Sequence, residues 1–191
     1  MNQKWVDLSF DLYRVYGARG KSYHGLQHIE ECFAELNAAI TVGLVENEEA
    51  MRLAIWYHDY FQDHENDDEE KSAKKGYEAA LYLGYPESFA QIVHRLIMVT
   101  NHSAQYEPVT PDEMLMVDID LAPFAADNFM ERFEWVRMEY PEVPIETFIE
   151  ARRGILAGFL ALPHIYRTPY MRERLEAAAR RNLAIAIEPP K

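Results

Sequence analysis

Apolar residues recur along this chain at intervals of three and four, the spacing that places side chains on one face of an α-helix. The first such run consists of Trp5, Leu8, Leu12 and Tyr16. No segment shows the alternation of apolar and polar residues that is typical of a β-strand. The pattern therefore predicts an all-α protein.

Capping residues, glycines and prolines divide this pattern into nine predicted helices. Gly84 is expected to end one helix, and Thr110, Pro111 and Glu113 form the signature of a capping box that begins another. The predicted helices cover approximately residues 2–16, 24–42, 47–61, 69–83, 86–101, 110–121, 127–140, 144–162 and 168–185. The first begins with Asn2 as its cap, and the third is apolar on nearly all sides at its centre, which predicts that it is buried.

The length of the chain bears on its number of domains, and its net charge bears on the partners that it can bind. At 191 residues, without a repeat or a low-complexity linker, it is expected to form a single domain over residues 1–191. The 19 basic and 32 acidic residues give a net charge of −13, which argues against binding to a nucleic acid polymer but allows a small anionic substrate.

The compartment is inferred from cysteine usage and from apolar runs. Cys32 is the single cysteine of the sequence, so no intrachain disulfide can form and a reducing cytoplasm is the expected setting. No run of about 18 or more apolar residues is present, and the first residues form no apolar signal core. We expect a cytoplasmic protein with no membrane partner, and a homodimer is compatible with the sequence.

The main candidate for chemistry is the adjacent pair His58 and Asp59, which follows the apolar run 53–57. Burying an ionisable pair costs free energy unless a partner compensates for it, and a divalent metal is such a partner. The pair alone is open to a second interpretation, a helix end with an exposed aspartate and a histidine in the core.

Further potential ligands lie on both sides of this pair. His24 and His28 precede it and share a face if one helix includes both, whereas Asp118 and Asp120 follow in an otherwise apolar predicted helix. His28, His58, Asp59 and one aspartate of the later pair give two nitrogen and two oxygen ligands. This set suits divalent metals such as Mn, Fe, Co, Ni or Zn.

The order His…His-Asp…Asp on an all-helical chain resembles the HD-domain superfamily of metal-dependent phosphohydrolases. Several phrases look like a bacterial family of predicted metal-dependent HD superfamily phosphohydrolases, among them residues 23–29, 56–59, 69–73, 96–102, 118–121, 137–140 and 181–183. The resemblance covers residues 20 to 184. It implies an HD-type helical domain with its core at about 20–125 and C-terminal helices at 127–186 packed on that core.

The resemblance also implies roles for particular residues. It assigns His28, His58 and Asp59 as metal ligands and favours Asp120 over Asp118 as the fourth. His24 and His102 become pocket residues that take a second metal or contact a phosphate. The alternative for His102 is a histidine at a helix C-terminus that interacts with the helix dipole.

The expected chemistry is hydrolysis of a phosphate ester or anhydride by a water that a metal activates. Asp59 itself, or an outer carboxylate from Glu69 or Glu70, is the candidate proton acceptor. The candidates for neutralising phosphoryl oxygens are the basic residues Lys21, Lys71, Arg137 and Arg152. For each of these four, a surface or ion-pair role is the alternative.

Three functions are therefore open. The first is a metal-dependent phosphohydrolase for a small phosphorylated metabolite, with a nucleotide as the expected substrate. The second is a di-iron oxygenase of the HD fold, which the additional histidines His24 and His102 leave open. The third is a non-catalytic nucleotide-binding module, which an open metal position does not favour. The expected cofactor is a divalent metal, Mn, Ni, Co, Fe, Zn or Mg, as one or two ions.

Overall fold

The computed structural model describes residues 3–19, 23–62, 67–102 and 104–188. These residues form nine α-helices and three short 3-10 turns, and no β-strand occurs among them. The helices are α1 (Gln3–Ala18), α2 (Leu26–Thr41), α3 (Glu48–Tyr57), α4 (Asp68–Leu83), α5 (Glu87–Met98), α6 (Pro111–Leu121), α7 (Phe129–Met138), α8 (Ile145–Ala161) and α9 (Pro169–Ile187). The all-α prediction is confirmed. Among these described helices, none combines the length and the apolar character that crossing a membrane requires.

Several predicted helix ends match the structure because the local chemistry determines them. Gly84 ends α4 with a φ of 100°, a left-handed conformation that glycine adopts without a steric penalty. The Thr110 hydroxyl accepts a hydrogen bond from the Glu113 amide at 3.2 Å. The Glu113 carboxylate, however, accepts from the Val109 amide at 2.8 Å, so the second half of the predicted capping box is displaced by one residue.

Other predicted ends differ from the structure. The α2 helix begins at Leu26, so His24 precedes it and does not share a helical face with His28. The α3 helix ends at Tyr57, four residues before the predicted end, because the Tyr60 amide bonds back to the Tyr57 carbonyl in a turn. The predicted cap Asn2 lies outside the described residues.

The chain divides into two compact units. The first comprises residues 1–20 and 24–120, and the second comprises residues 21–23 and 121–191. Helices α1 to α5 and all but the last residue of α6 belong to the first unit, whereas α7, α8 and α9 belong to the second. The organisation of the whole chain as a single domain stays a prediction.

The core of the first unit is built around α3, whose middle residues are fully buried, as predicted. Helix α4 approaches α3 and α5 closely at Gly76. A Cβ atom at this position would lie 2.5 Å from Ile97 Cδ1 and 3.2 Å from Tyr57 Cβ. The missing side chain thus permits the tight packing that fixes the C-terminal end of α3, where the His-Asp pair follows.

In the second unit, α9 fixes the segment that follows α6. The Asn182 amide donates hydrogen bonds of 2.9 Å to the carbonyls of Phe124 and Ala126. The buried Tyr166 hydroxyl donates to the Leu121 carbonyl at 3.2 Å. These bonds satisfy one backbone carbonyl within the 3-10 turn Ala122–Ala125 and one on either side of it.

Candidate metal centre

Three elements of the first unit bring four predicted ligands to one point. His28 lies on α2, His58 and Asp59 occupy the turn that ends α3, and Asp120 lies near the end of α6. His58, Asp59 and His28 are buried, and one ligand atom from each of the four residues lies within 4.8 Å of every other. This group could hold a metal ion.

The separations within the group match the edges of a metal coordination sphere. The Nε2 atoms of His28 and His58 are 3.2 Å apart, and His28 Nε2 is 3.2 Å from Asp120 Oδ1. Asp59 Oδ2 lies 3.1 Å from His58 Nε2 and 3.4 Å from His28 Nε2. Ligands about 2.0–2.2 Å from one ion are about 2.8–3.6 Å apart at neighbouring tetrahedral or octahedral corners. The observed distances fall in that range.

One tautomer of His58 directs a lone pair at the other potential ligands. His58 Nδ1 lies 2.9 Å from the Ile55 carbonyl, and a proton on Nδ1 donates to this oxygen. In the neutral ring the Nε2 atom then carries a lone pair suited to a metal, whereas in the protonated ring Nε2 donates to the carboxylates, 3.1 Å from Asp59 Oδ2. Asp59 Oδ2 is buried and accepts no hydrogen bond at all. A buried acceptor in such surroundings is costly unless a cation compensates, and the donor set fits a divalent ion.

Side chains outside the group orient its two carboxylates. Gln62 Nε2 donates to Asp59 Oδ1 at 3.0 Å, and His102 Nε2 lies 2.8 Å from Asp120 Oδ2. His102 has a φ of 55°, an uncommon conformation for a residue other than glycine. Its imidazole therefore supports a ligand, instead of serving only as the helix-terminal histidine that the sequence left open.

The charges of the neighbouring imidazoles and carboxylates shift the pKa values of Asp59, Asp120 and His58. Burial disfavours the ionised form of each, but the imidazoles of His58 and His24 still lower the pKa of Asp59. Hydrogen bonds from His102, His28 and His58 likewise hold the pKa of Asp120 well below its usual value, against the effect of burial. Burial lowers and the two carboxylates raise the pKa of His58, and the carboxylates dominate. A metal ion bound by this group would therefore compete with protons for the same atoms.

Arg19 is a supporting residue that the sequence did not reveal. Its Nη1 atom donates to the carbonyls of His24 at 2.9 Å and Asp59 at 2.7 Å, and its Nη2 atom donates to Tyr60 at 2.8 Å. One guanidinium thus ties the segment before α2 to the turn that carries the ligands. Because its partners are backbone carbonyls, two of them 40 and 41 residues away, no side-chain pattern in the sequence indicates this role.

Cys32 packs against the same centre. Its Sγ atom lies 3.6 Å from His28 Nε2, and the side chain is fully buried. Burial raises the pKa of this thiol well above its usual value, because it disfavours the thiolate. In the sequence, Cys32 is the single cysteine, and no part in the site was predicted for it.

The remaining candidates of the first unit lie around or away from the four ligands. The ring of His24 is half-buried and stands edge-on to the ring of His28, with 6.2 Å between centroids. Asp118 is fully buried but does not belong to the group, because two helical positions differ by about 200° in direction. Glu70 is exposed beside His94 at 3.8 Å, and Lys71 pairs with Asp67 at 3.0 Å.

Two predicted phosphate-binding residues lie in the second unit. Arg137 donates to the carbonyls of Tyr140 and Val143 and lies over the Phe148 ring, which gives it a structural role between α7 and α8. Arg152 has a buried Nε without a hydrogen-bond partner, and burial lowers the pKa of its guanidinium. The phosphate-binding role of Arg152 stays a prediction. Lys21 lies outside the described residues.

Comparison of the chain with family models, with curated proteins and with solved structures found no match. The site is therefore interpreted from its own chemistry. It consists of two imidazole nitrogens and two carboxylate oxygens, gathered in the first unit and supported by Gln62, His102 and Arg19.

Proposed function

We propose that this protein is a metal-dependent phosphohydrolase related to the HD-domain superfamily, and that a small phosphorylated metabolite, in particular a nucleotide, is its substrate. The observation that carries the proposal is the group of four lone-pair atoms, among which Asp59 Oδ2 is buried without a hydrogen-bond donor. A cation is the chemical group that satisfies all four atoms at once.

The ligand types favour a transition metal. Imidazole and carboxylate together suit Mn, Fe, Co, Ni and Zn, whereas Mg prefers an all-oxygen environment that includes water. When bound, such an ion lowers the pKa of a water molecule and polarises a phosphoryl oxygen. A local positive charge also offsets the negative charge of the protein, which would otherwise repel an anionic substrate.

Other residues of the chain orient the proposed ligands and accept a proton. The Ile55 carbonyl fixes the tautomer of His58, and Gln62 and His102 hold the two carboxylates in orientation. Asp59 is a weak base because its pKa is lowered. We therefore assign the imidazole of His24, adjacent to His28, as the acceptor of the proton from the attacking water.

A phosphate-release assay tests the proposal. Protein stripped with a chelator is supplied with Mn, Co, Ni, Fe, Zn or Mg and incubated with a panel of nucleotides and sugar phosphates. We expect metal-dependent release of inorganic phosphate from at least one nucleotide. Tight iron binding with oxygen consumption, and without phosphate release, would favour the oxygenase instead, because the additional imidazoles His24 and His102 are suited to a second ion.

Two aspartates on α6 give a matched pair of variants. Asp120→Asn removes a ligand and is expected to abolish metal binding and to reduce turnover by about a thousandfold or more. Asp118→Asn makes the same substitution at a buried residue two positions away, outside the group of four, and should keep both properties. Metal content by mass spectrometry and helicity by far-UV circular dichroism are measured for each. Loss of metal in Asp118→Asn with retention in Asp120→Asn would contradict the assignment.

A further inference from the structure

One cavity of the first unit lies apart from the four potential ligands. It has a volume of about 250 Å³ and is lined by residues from α1, α2 and α3 and from the segment after α4, namely Trp5, Phe33, Glu49, Arg52, Leu53, Trp56 and Tyr85. Four of these seven side chains are aromatic. All four aromatic residues are half-buried, so folding leaves part of their ring surface accessible.

Among the lining rings, Phe33 and Trp56 meet at an angle, whereas the Tyr85 ring is stacked on that of Phe89 with centroids 4.0 Å apart. Phe33 and Trp56 have centroids 5.3 Å apart and planes inclined at 57°. The Arg52 guanidinium, which also lines the cavity, lies 6.0 Å from the Phe33 centroid. Aromatic faces carry partial negative charge, so the lining rings attract cations.

The charged residues at the cavity add to this preference. Glu49 is exposed at the cavity and interacts with the Tyr85 hydroxyl, whose pKa is raised by burial and by that carboxylate. The charge of Arg52 is compensated, because its Nε atom donates to Glu48 at 2.8 Å and its Nη2 atom donates to Asn37 at 3.0 Å. Counted together, Glu48, Glu49 and Arg52 give this region one net negative charge, because Glu48 pairs with Arg52.

We propose that this cavity binds a small organic cation with a methylated ammonium group. The cavity is smaller than the roughly 300–1,000 Å³ of a typical pocket for a drug-sized ligand, so it suits a head group rather than a nucleotide. Several rings, one carboxylate and a small volume are the features by which proteins recognise quaternary ammonium groups. Trp56 precedes His58 by two residues, so a ligand in the cavity contacts the helix that leads to the metal centre.

Choline and its neutral isostere 3,3-dimethylbutan-1-ol provide the test. Binding is followed by tryptophan fluorescence in a Trp135→Phe background, so that the signal comes from the two tryptophans of the cavity. We expect choline to bind at least about fivefold more tightly than the neutral alcohol, the ratio that corresponds to about 1 kcal/mol of cation–π attraction. Equal affinity for the two probes, or no binding of choline at millimolar concentration, would overturn the proposal.

Variants locate the binding in the cavity. Glu49→Gln and Trp5→Leu are each expected to weaken choline binding by about fivefold, whereas Glu30→Gln, an exposed glutamate outside the cavity with the same change in charge, should leave it unchanged. Melting temperatures and far-UV spectra show that the variants are folded. An equal effect of Glu30→Gln and Glu49→Gln would mean that only the net charge of the protein attracts choline. Metal content is expected to stay at the wild-type value in all three variants.

Discussion

Two buried or half-buried carboxylates, Asp59 in the first unit and Glu176 in the second, have opposite surroundings. Glu176 accepts hydrogen bonds from the Ile165 amide at 3.0 Å, from the Tyr166 amide at 3.2 Å and from Arg180 Nε at 2.7 Å. Asp59 Oδ2 accepts none and lies among the lone-pair atoms of two histidines. The carboxylate of Glu176 thus has hydrogen-bond donors from the protein, whereas Asp59 Oδ2 needs a cation to compensate its charge.

The pKa values alone do not separate these two sites. Burial opposes ionisation in both, and both carboxyl groups nevertheless have a lowered pKa. For Glu176 the cause is donation from two backbone amides and Arg180, whereas for Asp59 it is the proximity of His58 and His24. The two carboxylates therefore differ in how many hydrogen-bond donors they have. A candidate metal site is recognised by a buried carboxylate oxygen that lacks a hydrogen-bond donor, and a shifted pKa alone does not identify it.

The largest effect that we expect is an increase in thermal stability when a metal is added to chelator-treated protein. Because the unfolded chain lacks the assembled site, a metal present at 100 to 1,000 times its dissociation constant should stabilise the fold by about 2.7–4.1 kcal/mol. For a chain of this size the gain corresponds to about 5–15 °C in melting temperature. Calorimetry of chelator-treated protein, before and after addition of Mn, Co or Ni, measures it. Identical melting curves would show that the group does not bind these ions.

The sequence predicted the helices, and it pointed to residues that the structure brings together, because both depend on local signals. Apolar spacing and capping residues located the nine helices of the described residues, and the residue types at 28, 58 and 59 suggested a group that could hold a metal. The choice between Asp118 and Asp120 depended on resemblance, since the direction of each side chain from α6 is a property of the packed helix.

Other features of the site could not be inferred from the chain alone. Arg19 and Gln62 act through contacts that only the folded turn after Tyr57 creates. The early end of α3 was missed for the same reason, because the distant Tyr16 hydroxyl donates to the Trp56 carbonyl that the Tyr60 amide would have used in a longer helix. Lys71 and Arg137 illustrate the converse, since their charge suggested anion binding but their partners are Asp67 and backbone carbonyls.

A smaller effect is expected from removing the support of a ligand. His102→Ala takes away the imidazole 2.8 Å from Asp120 Oδ2 and should weaken metal binding by about 10–100-fold without abolishing it. His94→Ala is the matched control, because His94 belongs to the same unit but pairs with the exposed Glu70. Competition titrations with a metal indicator measure both affinities. Equal affinities in the two variants would show that His102 does not orient the ligand.

The smallest expected effect concerns the carboxylate that already has its donors. Glu176→Gln should lower the free energy of unfolding by about 1 kcal/mol near neutral pH and leave the metal content unchanged, because it weakens charge-assisted hydrogen bonds but removes no ligand. The folded-state pKa of Glu176 lies below its ordinary value of 4.5, so the stabilisation by its charge is fully present above pH 4.5. It is lost as the pH falls through the lower, folded-state pKa. Urea unfolding of both proteins between pH 7 and pH 3 should therefore show a difference that is constant above pH 4.5 and shrinks below it. A difference that persists unchanged in acid would mean that Glu176 contributes through its shape and neutral hydrogen bonds rather than through its charge.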